Sequence, residues 1–181
     1  MPHAPTLRTR RLRLRPHAFA DVQALAREAD SRRVAAEIAN LRFPFGELDA
    51  QLRIAGALRD PDASASYRWV IADGTTDRVL GELSLHVVDA AAARGELAYW
   101  LGERHWGQGL ATEAVRAAVA FARADVHLHI LLADTQASNP ASGRVLQKCG
   151  FARVASDSLR ETWRLELTPR LPTALPVAEL R

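Results

Sequence analysis

Hydrophobic residues recur along this chain with two periods, one typical of strands and one typical of helices. Leu12 and Leu14 alternate with arginines ahead of Pro16, which predicts an edge-like strand with one buried face. Helical spacing of apolar positions in residues 18–29 predicts a first helix. A second helix is predicted from four further apolar positions: Leu48, Leu52, Ala55 and Leu58.

The middle of the chain predicts three strands in hairpin order and then its most clearly periodic helix. The strands are predicted at residues 67–72, 79–88 and 97–101, with a turn at Asp73 and Gly74. The helix after Gly109 carries one apolar stripe with the spacing i, i+3, i+4, i+7, i+8 and i+11. Its members are Ala111, Ala114, Val115, Ala118, Val119 and Ala122.

The last part of the chain predicts a strand, a helix and two closing strands. The apolar run at 129–133 suits a buried strand, and residues 151–155 and 162–167 predict the closing pair. Between them, Asn139 is a capping residue, Pro140 suits the first helical position, and Gly150 stands where a helix would end. The resulting order is a mixed α/β pattern.

Composition limits the classes of protein that this chain can represent. Its 181 residues are 48% hydrophobic and 25% charged, which favours one globular domain. We expect that domain to span residues 1–168, with 169–181 as a proline-containing tail. The chain has no run of about 18 apolar residues, and its first residues lack the apolar core of a signal peptide, so we expect a cytoplasmic protein without membrane contact.

Charge and cysteine content limit whether the chain is expected to bind nucleic acid or a metal ion. The net charge of +3 is not concentrated in any cluster of like charges, so we expect no nucleic-acid partner. The single cysteine, Cys149, has no neighbours at metal-ligand spacing, and His127 and His129 have no carboxylate or cysteine partners. We therefore expect no metal, and we expect Cys149 to pack in the core.

Candidate chemistry concentrates at residues 104–113, where two glycines precede the clearest helix. Unpaired N–H groups at a helix start, together with the helix dipole, favour an anion, and glycines let a polyanion approach the backbone. The loop lacks the third glycine of a dinucleotide-binding turn and the Gly-Lys-Ser/Thr of a Walker loop. From these residues alone the anion stays unidentified, and a simple tight turn remains the alternative.

Three motifs follow one another at a characteristic spacing. They are the strand from Glu96 to Leu101, the loop Arg104-x-x-Gly107-x-Gly109, and the run Asn139-Pro140-Ala141-Ser142 with Lys148-Cys149-Gly150-Phe151 after it. Together they resemble the GCN5-related N-acetyltransferase (GNAT) superfamily, and within it the branch that acetylates ribosomal-protein N-termini. The resemblance covers roughly residues 10–168.

The resemblance implies a central twisted sheet of about seven strands, mainly antiparallel with one splayed parallel pair, flanked by about four helices. It implies that acetyl-coenzyme A (acetyl-CoA) enters the opening between the splayed strands, with its pyrophosphate over the backbone amides of the glycine loop. Relatives often form dimers, so a homodimer is also implied. The implied cofactor-binding residues are Trp100, Leu101, Arg104, Gly107, Gln108, Gly109, Leu110, Ala111, Thr112, Asn139 and Ser142.

The resemblance also suggests catalytic roles. Glu96 could take a proton from an ammonium substrate through water, and Ser142 could donate a proton to the departing thiolate. Many relatives have a tyrosine acid one turn beyond Ser142, but here that position is Leu146. Phe43 and Phe45 occupy the segment that resembles the acceptor-binding wall, although aromatic residues there equally suit core packing.

The predicted activity is direct acetyl transfer from acetyl-CoA to a primary amine, either a protein N-terminus or a small molecule. A noncatalytic acyl-CoA-binding sensor is the alternative, supported by the missing tyrosine. For two residues beside the loop the sequence predicts no chemical role: His105 is expected at the surface, and Glu113 is expected to interact with the helix dipole.

Overall fold

The computed structural model of the chain describes residues 4–38, 41–59 and 66–167, so the predicted tail at 169–181 lies outside the described residues. The strands are β1 (Leu7–Arg8), β2 (Leu12–Arg15), β3 (Ser66–Asp73), β4 (Val79–Asp89), β5 (Arg94–Leu101), β6 (Ile130–Gln136), β7 (Ala152–Ser156) and β8 (Arg160–Glu166). The helices are α1 (Val22–Ala29), α2 (Arg32–Glu37), α3 (Glu47–Arg59), α4 (Leu110–Ala124) and α5 (Pro140–Lys148). None of the helices in these ranges is long and apolar enough to span a membrane.

The strands form one sheet in the order β1-β2-β3-β4-β5-β6-β8-β7. Strands β3, β4 and β5 pair antiparallel in sequence order, which confirms the predicted hairpins. Strands β5 and β6 form a parallel pair, so the predicted mixed α/β fold is also confirmed. The sheet has one strand more than expected, because the short β1 pairs with β2 and replaces it at the edge.

Two hydrophobic cores cover the two faces of the sheet. Helices α4 and α5 pack on one face, where Ala114, Ala118 and Ala122 of the predicted α4 stripe are fully buried. Helices α1, α2 and α3 pack on the other face, around Trp100. The small side chains of α4 let this helix approach the sheet closely, which places its first turn at the end of β5.

The first helical region differs from the prediction in two ways. Leu48 and Leu52 are 67% and 65% exposed, whereas α3 buries Ala50 and Ile54. Positions two residues apart lie on nearly opposite sides of a helix, so the apolar spacing selected the wrong face. Helix α2 was not predicted, because its six residues bury only Val34 and therefore carry no periodic signal.

Candidate active site

Strands β5 and β6 run side by side for only a few residues and then separate. Their last shared pair is Glu96 with Leu132, although β5 continues to Leu101 and β6 continues to Gln136. The opening therefore has the V shape implied by the resemblance, with its vertex at Glu96. Beyond that vertex β5 presents an edge with backbone groups that another extended chain can pair with.

A cavity of about 910 Å³ runs through the V and is lined from both faces of the sheet. Strand β5 alternates its side chains between the two faces of the sheet, as strands do. Glu96, Ala98 and Trp100 lie on the α1–α3 side, and Leu97, Tyr99 and Leu101 lie on the α4–α5 side. The opening thus connects the two faces, so ligands that approach from opposite sides can meet in it.

The glycine loop supplies backbone groups to this cavity. Gly107 and Gly109 have φ angles of 74° and 75°, in the left-handed region that favours glycine. Gly109 is the N-cap of α4, and no side chain caps this helix start. A Cβ atom at Gly107 would meet no atom of the described residues within 4 Å. An anion can therefore approach the first N–H groups of α4 from the cavity.

Glu113, near the start of α4, accepts hydrogen bonds from Thr9 and Arg11, which lie between β1 and β2. Its Oε1 accepts hydrogen bonds from Thr9 Oγ1 (2.7 Å) and from the Arg11 backbone N–H (2.8 Å). Arg11 Nε donates to Glu113 Oε2 at 2.7 Å, and Arg11 Nη1 donates to the Gln108 carbonyl at 3.0 Å. Burial alone would raise the pKa of Glu113, but these hydrogen bonds hold it below its usual range. Glu113 therefore positions the loop through specific contacts as well as through the helix dipole.

Arg104 and His105 face a buried carboxylate on α1. Arg104 Nε donates to Glu28 Oε2 at 3.1 Å, and its guanidinium also ion-pairs with Glu28 Oε1. His105 is only 6% exposed, with Nε2 3.2 Å from Glu28 Oε2, so the expectation of a surface residue is wrong. Burial lowers the pKa of His105. The side chains of Arg104 and Gln108 do not line the cavity, which leaves the predicted anion contact to the loop backbone.

Ser142 forms a hydroxyl pair with a residue that the sequence did not indicate. The Asn139 side chain accepts from the Ser142 N–H at 2.9 Å, as predicted for the cap of α5. The Tyr99 hydroxyl lies 2.8 Å from Ser142 Oγ. Burial raises the pKa of Tyr99, and the Ser142 hydrogen bond opposes this only in part, so Tyr99 stays protonated. Leu146 is fully buried, so its position in the next turn of α5 offers no polar group.

Polar side chains also cover the sheet on the α1–α3 side of the V. They form three cross-strand rows: Ser66, His86 and Glu96; Arg68, Ser84 and Ala98; and Val70, Glu82 and Trp100. The alternation of Glu82, Ser84 and His86 along β4 was the available sequence signal, because a strand buried under helices would carry apolar residues there. This surface was missed in the sequence analysis.

Glu82 is the centre of a buried polar cluster in the third row. Its Oε1 lies 2.7 Å from His17 Nε2, and its Oε2 accepts a hydrogen bond from Trp100 Nε1 at 2.9 Å. Arg53 of α3 also ion-pairs with Oε2. Burial alone would raise the pKa of Glu82, but His17 and Arg53 outweigh it and keep the carboxylate charged. Because Arg53 and Trp100 both contact Glu82, the cluster links α3 to β5, one of the two strands that form the V.

The remaining predicted site residues differ in where they lie. Glu96 is exposed and lines the cavity at the vertex. Phe45 is 6% exposed in the core, and Phe43 is 42% exposed under the Arg32 guanidinium, and neither lines this cavity. Phe45 is held there because it fills the space between α1 and α3.

Cys149 packs against α4, and its thiol donates to the Thr112 carbonyl at 3.6 Å. Burial raises the pKa of this thiol, with Arg116 opposing, which agrees with the predicted packing role. Within the described ranges, no group of three or more His, Cys, Asp or Glu side chains could hold a metal ion.

The chain belongs to the acetyltransferase (GNAT) domain family, which matches residues 11–152. An uncharacterized N-acetyltransferase, p20 of Bacillus licheniformis, is 27% identical over 149 residues, or 82% of this chain and 83% of that protein. A ribosomal-protein-serine acetyltransferase of Escherichia coli is 28% identical over 75 residues, or 41% and 42% of the two chains. The solved structure of RimL, a ribosomal L7/L12 alpha-N-protein acetyltransferase in complex with coenzyme A, superposes with a TM-score of 0.79 at 14% identity, covering 90% of this chain and 98% of that one.

Proposed function

We propose that this protein transfers the acetyl group of acetyl-CoA directly to a primary amine. The observation that carries the proposal is the V between β5 and β6, because it joins the glycine loop on one side of the sheet to Glu96 on the other. The family to which the chain belongs and the N-acetyltransferase names of its relatives support the same activity.

The α4–α5 side of the cavity suits acetyl-CoA, which supplies the activated thioester. Arg144 and Lys148 line this side from α5, and no ion pair engages them within the described part of the chain. These cations and the free amides of the glycine loop suit phosphate groups. The edge of β5 between Leu97 and Trp100 suits an extended amide-bearing chain such as pantetheine, which can pair with it as an added strand.

The other side of the cavity suits the amine. Glu96 is placed to accept a proton from the substrate ammonium, through water, so that the nitrogen acquires a lone pair. Attack then forms the carbon–nitrogen bond and breaks the carbon–sulfur bond of the thioester. Backbone N–H groups at the β5 edge are the candidate donors to the thioester oxygen. Much of the rate enhancement is expected from holding both substrates in the V.

Ser142 and Tyr99 are placed to protonate the departing sulfur. Ser142 Oγ faces the cavity, and the buried Tyr99 hydroxyl keeps a proton within 2.8 Å of it. In the proposal Ser142 donates to the thiolate, while Tyr99 positions Ser142 and replaces its proton. Water in the cavity carries the second proton of the acylated nitrogen back to Tyr99, so that no phenolate remains. This pair would take the place of the tyrosine that relatives carry where this chain has Leu146.

A thiol-release assay tests the activity directly. Purified protein is incubated with acetyl-CoA and a panel of peptides, polyamines and aminoglycosides, and free coenzyme A is measured together with the mass of the product amine. We expect a mass gain of one acetyl group on at least one primary amine. Binding of acetyl-CoA without turnover on any member of the panel would favour the acyl-CoA-binding sensor instead.

Replacing Glu96 by Gln is expected to lower kcat/KM about 100-fold at neutral pH, a typical contribution of a general base. The loss should shrink as pH rises toward the pKa of the amine, because the substrate then arrives already neutral. A pH profile of both proteins measures this. The control is Glu166→Gln, which removes an exposed carboxylate outside the cavity. A pH-independent loss in the Glu96 variant would argue against the base role.

Replacing Ser142 by Ala is expected to lower kcat about tenfold, with acetyl-CoA affinity changed less than about threefold. Tyr99→Phe should lower kcat in the same direction, and the double variant should be no slower than the slower single variant, because the two hydroxyls act as one unit. Steady-state kinetics of the four proteins measure this coupling. Additive losses, or full activity in both single variants, would contradict the relay.

A further inference from the structure

Helix α2 lies across the open end of the V and contacts residues at or just beyond the ends of both strands that form it, β5 and β6. At its start, Ser31 Oγ donates to Glu103 Oε2 at 3.0 Å, and Arg33 ion-pairs with the same carboxylate, just beyond the end of β5. At its end, the Ala36 carbonyl accepts a hydrogen bond from the side chain of Gln136, the last residue of β6. Helix α2 therefore covers the cavity like a roof on the α1–α3 side of the sheet, which is the side proposed to bind the amine.

Glu37, the last residue of this helix, lines the cavity beneath the roof. Its Oε2 is buried and has no hydrogen-bond partner among the described residues. A buried carboxylate oxygen without a partner is unfavourable, since it has lost water and gained no donor. An oxygen in that condition at a ligand cavity is satisfied when the ligand brings the missing donor.

Two other carboxylates that line the cavity are ion-paired, unlike Glu37. Glu82 is neutralised by Arg53, and Asp134 lies 3.6 Å from Arg160. Among the described residues that line the cavity, Glu37 and Glu96 are the carboxylates without an ion pair. The amine side therefore offers two carboxylates that no ion pair engages among the described residues of one cavity.

These two carboxylates lie at opposite ends of the opening. Glu96 stands at the vertex beside Leu132, and Glu37 follows Ala36, which touches Gln136. Leu132 and Gln136 are separated by about 13 Å along an extended strand. An acceptor that reacts beside Glu96 can therefore extend toward Glu37 beneath the roof.

We propose that Glu37 binds a second cationic group of the acceptor. The preferred substrate is then an amine with another positive charge, separated from the reacting nitrogen by about the 13 Å between the two ends of the opening. This inference rests on the proposed acetyl transfer for the identity of the reacting end. Two sources supply the chemistry, a polyamine-like diamine and a peptide N-terminus followed by a basic residue. Both would place a cation against the unpartnered oxygen of Glu37.

Binding measured without turnover tests the proposal independently of catalysis. Octane-1,8-diamine and octylamine are titrated calorimetrically into the full chain saturated with coenzyme A, which carries no acetyl group. We expect the diamine to bind wild type more tightly than the monoamine does. In Glu37→Gln the diamine should lose about tenfold or more, the size of a lost charge-assisted hydrogen bond, while the monoamine changes less than about threefold.

A second pair of probes identifies the source. The peptides Ser-Arg-Ala-Ala and Ser-Gln-Ala-Ala, both amidated, differ by one charge, and a Glu37-dependent preference for the first assigns a basic N-terminal segment. The same preference in the diamine pair alone assigns a polyamine-like acceptor. Equal losses for charged and neutral probes, or no charge preference in either pair, would overturn the proposal. Acetyl transfer without any such preference refutes this inference alone, whereas Glu37-dependent binding without transfer refutes only the proposed activity.

Thermal unfolding separates binding from a structural role. Glu37→Gln is expected to keep or raise the melting temperature, because it replaces the carboxylate of a half-buried residue whose Oε2 is buried without a partner. Glu37→Asp should retain part of the charge preference. The control is Glu47→Gln, which removes a carboxylate from α3 outside this cavity and should leave the binding of every probe unchanged. A lower melting temperature with equal losses for all probes would assign Glu37 to the fold instead.

Discussion

Replacing Gly107 by Val is expected to weaken acetyl-CoA binding at least about 100-fold while the protein stays folded, since two lost charge-assisted contacts are worth roughly 1.5–3 kcal/mol each. The added side chain would not clash at its Cβ, which has no atom of the described residues within 4 Å. It would instead occupy the space from which an anion reaches the start of α4. A non-glycine residue in the left-handed conformation costs roughly 1–2 kcal/mol, which is below a typical stability of about 5–15 kcal/mol.

Isothermal titration calorimetry with acetyl-CoA measures the affinity, and thermal unfolding measures the stability of the variant. Gly150→Val is the matched control, because Gly150 also has a positive φ of 92° but lies outside the cavity. The Gly150 variant should lose at least as much stability, because a Cβ there would also lie 3.4 Å from Leu165 Cδ1, and only the Gly107 variant should lose affinity. Unchanged affinity in the Gly107 variant would refute the placement of the pyrophosphate over this loop.

Replacing Glu82 by Ala is expected to lower the free energy of unfolding by about 3–5 kcal/mol, the usual effect of removing one partner of a buried ion pair. The variant leaves the Arg53 charge and the Trp100 indole N–H without their acceptor, and it leaves His17 without its partner. Because Trp100 lies on the β5 arm, acetyl-CoA affinity should fall as well. Chemical denaturation and calorimetry measure the two effects.

The same variant should change the dependence of stability on pH. The pKa of Glu82 is lower in the folded protein than its usual value, so its contribution is present above that usual value and is lost as pH falls through the lower, folded value. Wild type should therefore lose stability toward acid more steeply than Glu82→Ala. The control is Glu166→Ala, which removes an exposed carboxylate and should cost less than about 0.5 kcal/mol. Parallel acid profiles for wild type and the Glu82 variant would contradict this account.

Most elements of the fold were predictable because they carry strong local signals. The α4 stripe, the Asn139 cap and the β3–β5 hairpins each depend on residues close together in the chain. The failures have a local cause too. Helix α2 has a single buried residue, and Leu48 and Leu52 have helical spacing on a face that no element of the described ranges covers. Periodicity detects a helix, but it does not identify which apolar face will find a partner.

The candidate site was predictable in part for the same reason. The glycine loop is a local backbone feature, so Gly107 and Gly109 could be found without tertiary information. The sequence predicted no chemical role for Tyr99, which lies on the same face of its strand as Leu97 and Leu101. Its hydroxyl gains significance only where α5 brings Ser142 to 2.8 Å.

The sequence by itself determined the order of most elements, the glycine turn that begins α4 and, through motif spacing, the acetyltransferase family. Only the tertiary structure decided what each charge is paired with. Arg104 was expected beside the anion and is held by Glu28 of α1, while Glu113 fastens the loop to Thr9 and Arg11. The physical reason is that ion pairs form between residues far apart in the chain, whereas helices, strands and turns are specified by neighbours. The partner of a charge, and hence the unpartnered oxygen of Glu37, is a property of the folded chain alone.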